Sequence, residues 1–160
     1  MLVLCCGHPD RGDDAAGPLV ARRLREMPRD KGIDVREQYG DALSLIDAWQ
    51  DAGDVVLVDA VVTSKRPGTV SVWNALTAPV TGGPRMGSSH GLGLAEAIAL
   101  SRTIGGLPRR LTLFGIEARR FELGEPPSNA VLRSNAVLRG VERAARKVYE
   151  YCFDQRRPAI

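Results

Sequence analysis

Three places in the chain put an acidic or imidazole side chain beside a predicted strand end or helix start. Asp13 and Asp14 follow the apolar run 1–6, Asp59 closes a second apolar run, and His90 precedes a helical pattern. In a parallel sheet the carboxyl ends of the strands share one edge, so residues far apart in sequence converge there. Two carboxylates and one imidazole suit a divalent transition metal and leave coordination positions open for other ligands.

Each of these residues also has a purely structural interpretation. Asp13 and Asp14 could cap the following helix, because carboxylates bind its unpaired amides and favour its positive end. Asp59 could cap a turn, although a charge that closes an apolar run is costly to bury without a partner. His90 could serve only the helix start, and His8 could be a fourth ligand or a hydrogen-bonding turn residue. The joint pattern favours a functional interpretation over each separate one.

Other common chemistries lack their motifs in this chain. The sequence contains no GxSxG, no GxxxxGK[ST] and no HExxH, which argues against an α/β-hydrolase nucleophile, a phosphate-binding loop and a zincin site. Ser88 and Ser89 adjoin His90, but adjacency in sequence does not make a catalytic triad.

Composition indicates one folded domain over residues 1–160. The 160 residues are 44% hydrophobic and 26% charged, which is typical of a globular chain with a core. The formal charge is +3 and aromatic residues make up 5%, so no basic and aromatic surface for nucleic acid is indicated. Three cysteines without a CxxC pair favour a reducing compartment. With no signal peptide or membrane span recognised, we expect a cytoplasmic protein.

Strand and helix patterns alternate along the chain. Continuous apolar runs predict strands buried on both faces; they are residues 1–6, 54–59 and 110–116. A short strand is predicted at 33–38, and the alternating segment 68–73 predicts an antiparallel edge strand. Amphipathic spacing predicts helices at residues 19–27, 41–50, 91–100 and from 128 onward, with loops at 61–67 and 77–89. The expected fold is an α/β three-layer sandwich, a mostly parallel twisted sheet with helices on both faces.

Several motifs follow one another in a familiar order. They are GHPDRGDDAAGPLV at 7–20, VVLVDA at 55–60, SSHG at 88–91, FGIE at 114–117 and FELG at 121–124. Together they resemble the hydrogenase maturation proteases over nearly the whole chain. Members of that family are endopeptidases that remove a C-terminal extension from the large subunit of a nickel-iron hydrogenase after nickel insertion. The resemblance implies the same α/β fold, with helices on both faces of a twisted sheet.

The resemblance also implies roles for individual residues. Asp14 matches the family's first metal-binding acid, Asp59 the second, and His90 its histidine, so these three are the expected catalytic and metal-binding residues. The implied metal is nickel supplied by the substrate, with no resident cofactor. The implied partner is the hydrogenase large-subunit precursor, with no nucleic acid and no membrane. The expected mechanism is metal-anchored positioning of the scissile peptide, with a carboxylate or a polarised water assisting attack.

The sequence departs from the family pattern in a few places. His8 stands where the family usually has Asn, and Cys5 and Ala15 stand where it often has Gly. Another family acid has no clear match near residues 37–38. Two alternatives therefore stay open: a non-catalytic maturation chaperone that binds a nickel-loaded partner, and a small α/β cofactor-binding domain in which Asp13 and Asp14 are helix caps.

Overall fold

The computed structural model describes residues 1–28, 32–39, 41–77, 85–86, 91–124 and 136–155. Six strands occupy this part of the chain: β1 Leu2–Cys6, β2 Asp34–Gln38, β3 Asp54–Val62, β4 Val70–Asn74, β5 Arg85–Met86 and β6 Arg110–Glu117. The α-helices described are α1 Ala16–Glu26, α2 Ala42–Trp49, α3 Gly91–Ile104 and α4 Ala136–Asp154. A 3-10 turn, Gly12–Ala15, leads from β1 into α1.

All six strands form one mixed sheet. Its order is β2-β1-β3-β6-β4, and the first four of these strands run parallel to one another. At the edge, β4 pairs antiparallel with β6, while the short β5 pairs antiparallel with the end of β3. The predicted antiparallel edge strand is therefore confirmed. In this topology β1, β3 and β6 direct their carboxyl ends to a common edge, where ligand sites form in such sheets.

Helices cover both faces of the sheet, as the apolar runs predict. On one face, Val3 and Cys5 of β1 pack with α1 and α4. On the other face, Leu4 and Cys6 of the same strand pack with α2 and α3. Successive side chains of a strand point to opposite faces, so a strand that is apolar throughout must be covered on both. The three-layer α/β architecture is confirmed.

The central strand β3 is longer than its sequence pattern indicates. The predicted loop from residue 61 is wrong for Val61 and Val62, and Asp59 lies inside the strand rather than at its end. Residues 59–61 pair with residues 115–117 of β6, and residues 61–62 pair with β5. Because these residues form backbone hydrogen bonds with β5 and β6, β3 continues beyond Asp59.

Other element limits shift by smaller amounts. The helix predicted at 91–100 continues to Ile104, and the helix predicted from 128 is described from Ala136. Within the predicted loop 77–89, Arg85 and Met86 form β5 instead, and residues 78–84 and 87–89 lie outside the described part. None of the described helices combines the length and apolar character that crossing a membrane requires.

Candidate functional site

The two adjacent acids lie in the turn between β1 and α1, and both are buried. Asp13 is 2% and Asp14 0% exposed. Neither acid caps a helix, because the N-cap positions of the 3-10 turn and of α1 are Arg11 and Ala15, without a side-chain cap hydrogen bond. The N-capping interpretation is therefore wrong, although both acids do lie in the first turn of this 3-10 segment, where negative charge is favourable.

The Asp14 carboxylate is held by the loop that precedes it. The backbone amide of His8 donates to Asp14 Oδ2 over 3.0 Å. Gly7 makes this close folding possible, because its φ is +131° and a Cβ there would lie 2.0 Å from the Asp14 carbonyl oxygen. A side chain at residue 7 would therefore meet both backbone strain and a clash.

The Asp13 carboxylate binds a different part of the chain. Its Oδ2 accepts from the amides of Arg119 (3.0 Å) and Arg120 (3.1 Å), just beyond β6. In return the Asp13 amide donates to the Arg120 carbonyl over 2.7 Å. Asp13 thus fastens the turn that carries Asp14 to the segment that follows β6.

Asp59 is buried within β3 and is completely inaccessible. Its Oδ1 accepts from the amide of Ala60 over 2.6 Å, whereas its Oδ2 has no hydrogen-bond partner in the described part of the chain. Side chains alternate along the paired strand, so Asp59 shares the face of Val55 and Leu57, which pack with α2 and α3. A buried carboxylate oxygen without a partner is costly unless a proton or a cation compensates it.

The two carboxylates interact electrostatically. Burial, and then the charge of Asp14, raise the pKa of the Asp59 carboxyl well above its ordinary value. The Cys6 thiol at the end of β1 responds to both acids: burial raises its pKa first, and the charges of Asp59 and Asp14 add to this. Two carboxylates kept together away from water favour a shared proton or a bound cation.

His90 lies outside the described residues, so its position relative to the two carboxylates stays a prediction. The described chain resumes one residue later with α3, which packs on the sheet face that Asp59 shares. Among the described residues no group of three or more His, Cys, Asp or Glu side chains could hold a metal ion. Of the three predicted site residues, the structure places Asp14 and Asp59 near enough to interact electrostatically.

His8 serves as a turn residue, as one of the two interpretations of its sequence position predicts. Its Nδ1 accepts from the amide of Asp10 over 3.2 Å, and its ring lies 5.7 Å from that of Tyr39 between centroids. An asparagine side chain makes the same kind of bond to the amide two residues on. The imidazole therefore supplies the hydrogen-bond acceptor that the expected asparagine would supply.

One further buried acid near this edge, named above only within the FGIE motif, has a structural role in holding the backbone after β3. Glu117, the last residue of β6, is 2% exposed. It accepts from the amides of Thr63 (2.8 Å) and Lys65 (3.1 Å) and from the Thr63 hydroxyl (2.6 Å). Between these residues Ser64 adopts a φ of +66°. In the sequence, Glu117 directly follows the apolar run 110–116, just as Asp59 ends the apolar run 54–59. This pattern could have identified Glu117 as a buried acid.

Comparison with known proteins identifies the family. Residues 18–148 match the family model described as hydrogenase maturation protease; this span includes Asp59 and His90 and begins four residues after Asp14. A relative is the hydrogenase expression/formation protein HoxM of Azotobacter vinelandii, 27% identical over 91% of this chain and 76% of that protein.

Solved structures share the fold. The hydrogenase maturating endopeptidase HybD from E. coli matches with a TM-score of 0.77 at 21% identity, over 97% of this chain and 93% of that one. The [NiFe] hydrogenase maturation protease HybD from Thermococcus kodakarensis matches with a TM-score of 0.68 at 24% identity, over 94% and 97%. With the family model spanning most of its length, this chain belongs to the hydrogenase maturation proteases, and it is therefore a hydrolase that cleaves protein.

Proposed function

We propose that this protein removes the C-terminal extension of a nickel-iron hydrogenase large-subunit precursor after nickel has been inserted. The observation that carries the proposal is the buried pair Asp14 and Asp59 at the carboxyl edge of the sheet, with Asp59 Oδ2 lacking a hydrogen-bond partner among the described residues. Family membership supports a hydrogenase precursor as the substrate. The proposal goes beyond family membership in two respects: cleavage depends on nickel, and it occurs at the C-terminal extension.

The donor set supports recognition of the substrate's nickel. In the proposal Asp14, Asp59 and His90 contact the ion, and a carboxylate oxygen that is buried without a partner gains one when a cation arrives. Two oxygen donors and one nitrogen donor leave positions for the ligands that the precursor itself provides. The ion is thus part of the substrate, and its presence marks a precursor that has been loaded.

The buried pair also supports an acid–base role in peptide hydrolysis. Contact with the substrate's nickel would hold the scissile peptide in place, which removes much of the entropic cost of attack. A site carboxylate can accept a proton from an attacking water and return it to the leaving amine. This is the sense in which we propose an aspartyl-type endopeptidase.

The cytoplasm is the compartment we propose. Cys5, Cys6 and Cys152 are buried thiols, and thiols that stay reduced are typical of a reducing compartment. Nickel-dependent processing of a precursor would then take place where the large subunit is assembled.

A processing assay tests the proposal directly. The protein is mixed with nickel-loaded and with nickel-free large-subunit precursor, and the products are weighed by mass spectrometry. Loss of one discrete C-terminal peptide from the loaded precursor alone is the expected result. Asp59→Asn protein prepared in parallel controls for contaminating peptidases. Binding of a competent loaded precursor without any shortening would instead favour the non-catalytic maturation chaperone.

A further inference from the structure

We propose that Asp13 is a positioning residue that fixes the place of the Asp14 carboxylate relative to Asp59. The inference deepens the proposed function, since it names a residue of the same site to which no role has been assigned. The claim that Asp13 positions Asp14 can be tested in the protein without substrate, so it does not depend on which substrate is cleaved.

Asp13 links the turn after β1 to the segment that follows β6. Asp59 is paired with Gly115 in the ladder between β3 and β6. Beyond the end of β6, the amides of Arg119 and Arg120 both donate to the Asp13 carboxylate. The next residue after Asp13 is Asp14, so a short path of ladder, backbone and hydrogen bonds connects the two site carboxylates.

The contact between the turn and the post-β6 segment is tight and continues on both sides of Asp13. A Cβ on Gly12 would lie 2.7 Å from the Arg120 carbonyl oxygen, and Gly12 has a φ of +54°. The amide of Gly124 donates to the Asp10 carbonyl over 2.9 Å. This packing leaves the Asp13 carboxylate at the centre of the connection.

Electrostatic repulsion between the site carboxylates explains why this connection is needed. Asp14 and Asp59 are both fully buried, one in the turn after β1 and the other in the neighbouring strand β3. Two buried carboxylates repel each other when both are ionised, and this repulsion favours a larger separation. A rigid tie from the turn to β6 opposes that separation, and catalytic groups need such support from neighbouring residues.

Glu117 provides a matched control. It is also a buried carboxylate that accepts backbone amides, but its partners are Thr63 and Lys65 after β3, not the turn that carries Asp14. Glu117→Ala therefore removes a comparable set of hydrogen bonds without releasing Asp14. Asp13→Asn is the conservative variant, because an amide oxygen can still accept from the Arg119 and Arg120 amides.

The first measurement is amide hydrogen exchange in the protein without substrate. The His8 amide reports the Asp14 carboxylate to which it is bonded, and the Val58 amide inside β3 reports global unfolding. In Asp13→Ala we expect exchange at His8 to accelerate at least about tenfold beyond any change at Val58. Glu117→Ala should accelerate Thr63 and Lys65 and leave His8 slow. Equal changes at His8 and Val58 in Asp13→Ala would overturn the proposal.

The second measurement is cleavage of the nickel-loaded precursor. A small displacement of a reacting group costs up to about 100-fold in turnover, so kcat should fall by about this factor in Asp13→Ala while KM is retained. Asp13→Asn should recover most of the loss, and Glu117→Ala should keep wild-type kcat. If Asp13→Ala does not fold, Asp13→Ser, whose short hydroxyl reaches fewer amides, replaces it in both measurements. Normal kcat in a variant with rapid His8 exchange would overturn the catalytic part alone.

Discussion

The amide of His8 donates a hydrogen bond to the carboxylate of Asp14, with 3.0 Å between N and Oδ2. This bond folds the loop after β1 back towards the turn that carries Asp14. The same loop residue uses its side chain to accept from the amide of Asp10. One residue therefore organises both the backbone and the acid of the site.

We expect His8→Asn to preserve stability and processing, because Asn supplies both the backbone amide and a side-chain acceptor for Asp10. His8→Ala removes the acceptor and should lower the free energy of unfolding by about 1 kcal/mol. Urea unfolding of the two variants beside the wild type measures the difference. A loss in His8→Asn as large as that in His8→Ala would show that the imidazole has another role.

The site variants Asp14→Asn, Asp59→Asn and His90→Ala should each abolish processing of the nickel-loaded precursor and leave the fold intact. Each removes one donor that the proposed contact with nickel requires. The measurement is product mass, with circular dichroism as the check on folding. Asp47→Asn, on the exposed side of α2, is the matched control and should process normally. Wild-type rates in any two of the site variants would eliminate this assignment.

Asp59→Asn should also make the protein more stable at neutral pH. The folded-state pKa of this carboxyl is raised above 3.8 by burial and by Asp14, so folding disfavours its charged form. The stabilising contribution is complete below pH 3.8 and is lost as the pH rises towards the folded-state pKa. The neutral amide avoids this loss, and we expect a gain of about 1 kcal/mol, as at other functional residues.

Thermal unfolding at several pH values measures this effect. The difference between Asp59→Asn and the wild type should grow as the pH rises from 4, while Asp47→Asn should show no such trend. A constant difference across the range would mean that the charge of Asp59 is compensated in the folded protein.

Asp54 should give the opposite dependence on pH. Two hydrogen bonds from Arg110 (2.9 and 2.7 Å) and further bonds from Arg109 lower the pKa of this carboxyl from 3.8 to about 2, against a smaller effect of burial. The pair's contribution is present above pH 3.8 and is lost as the pH falls towards 2. Asp54→Asn should therefore lower stability at neutral pH by about 1 kcal/mol, and the difference from wild type should shrink as the pH falls towards 2.

The control for Asp54 is Asp34→Asn. Asp34 pairs with Arg36 within the same strand, and both side chains are more than half exposed, so its loss should have little effect. Chemical denaturation between pH 2 and 7 compares the variants. Equal destabilisation by the two substitutions would show that the double arginine contact at Asp54 adds nothing.

The cysteines should resist thiol reagents while the protein is folded. Burial raises the pKa of the Cys152 thiol to about 11, and it also raises the pKa of the Cys5 and Cys6 thiols well above the ordinary value. Thiolates are the reactive form, so buried thiols with raised pKa values react slowly. Ellman's reagent should detect three thiols only after denaturant is added. Rapid reaction of one thiol in the native protein would contradict the packing described at that position.

The apolar runs of β1, β3 and β6 determine much of this architecture without any long-range information. A strand that is apolar on both faces needs helices on both, and the helical patterns between the strands provide them. From the rule that parallel strands end at one edge, the meeting of Asp14 and Asp59 is predictable. The limits of β3 are not, because its last residues depend on pairing with β5 and β6.

The buried acids also show which features can be predicted from the sequence and which depend on the tertiary structure. By itself the sequence determined the sheet, its two helical layers and the edge at which Asp14 and Asp59 meet, because periodicity and chain connectivity are local properties. Only the tertiary structure decided that Asp13 binds the amides of Arg119 and Arg120, more than 100 residues away. Such a hydrogen bond depends on two loops reaching the same place. That meeting is set by the packing of the whole sheet and leaves no periodic signal in either loop.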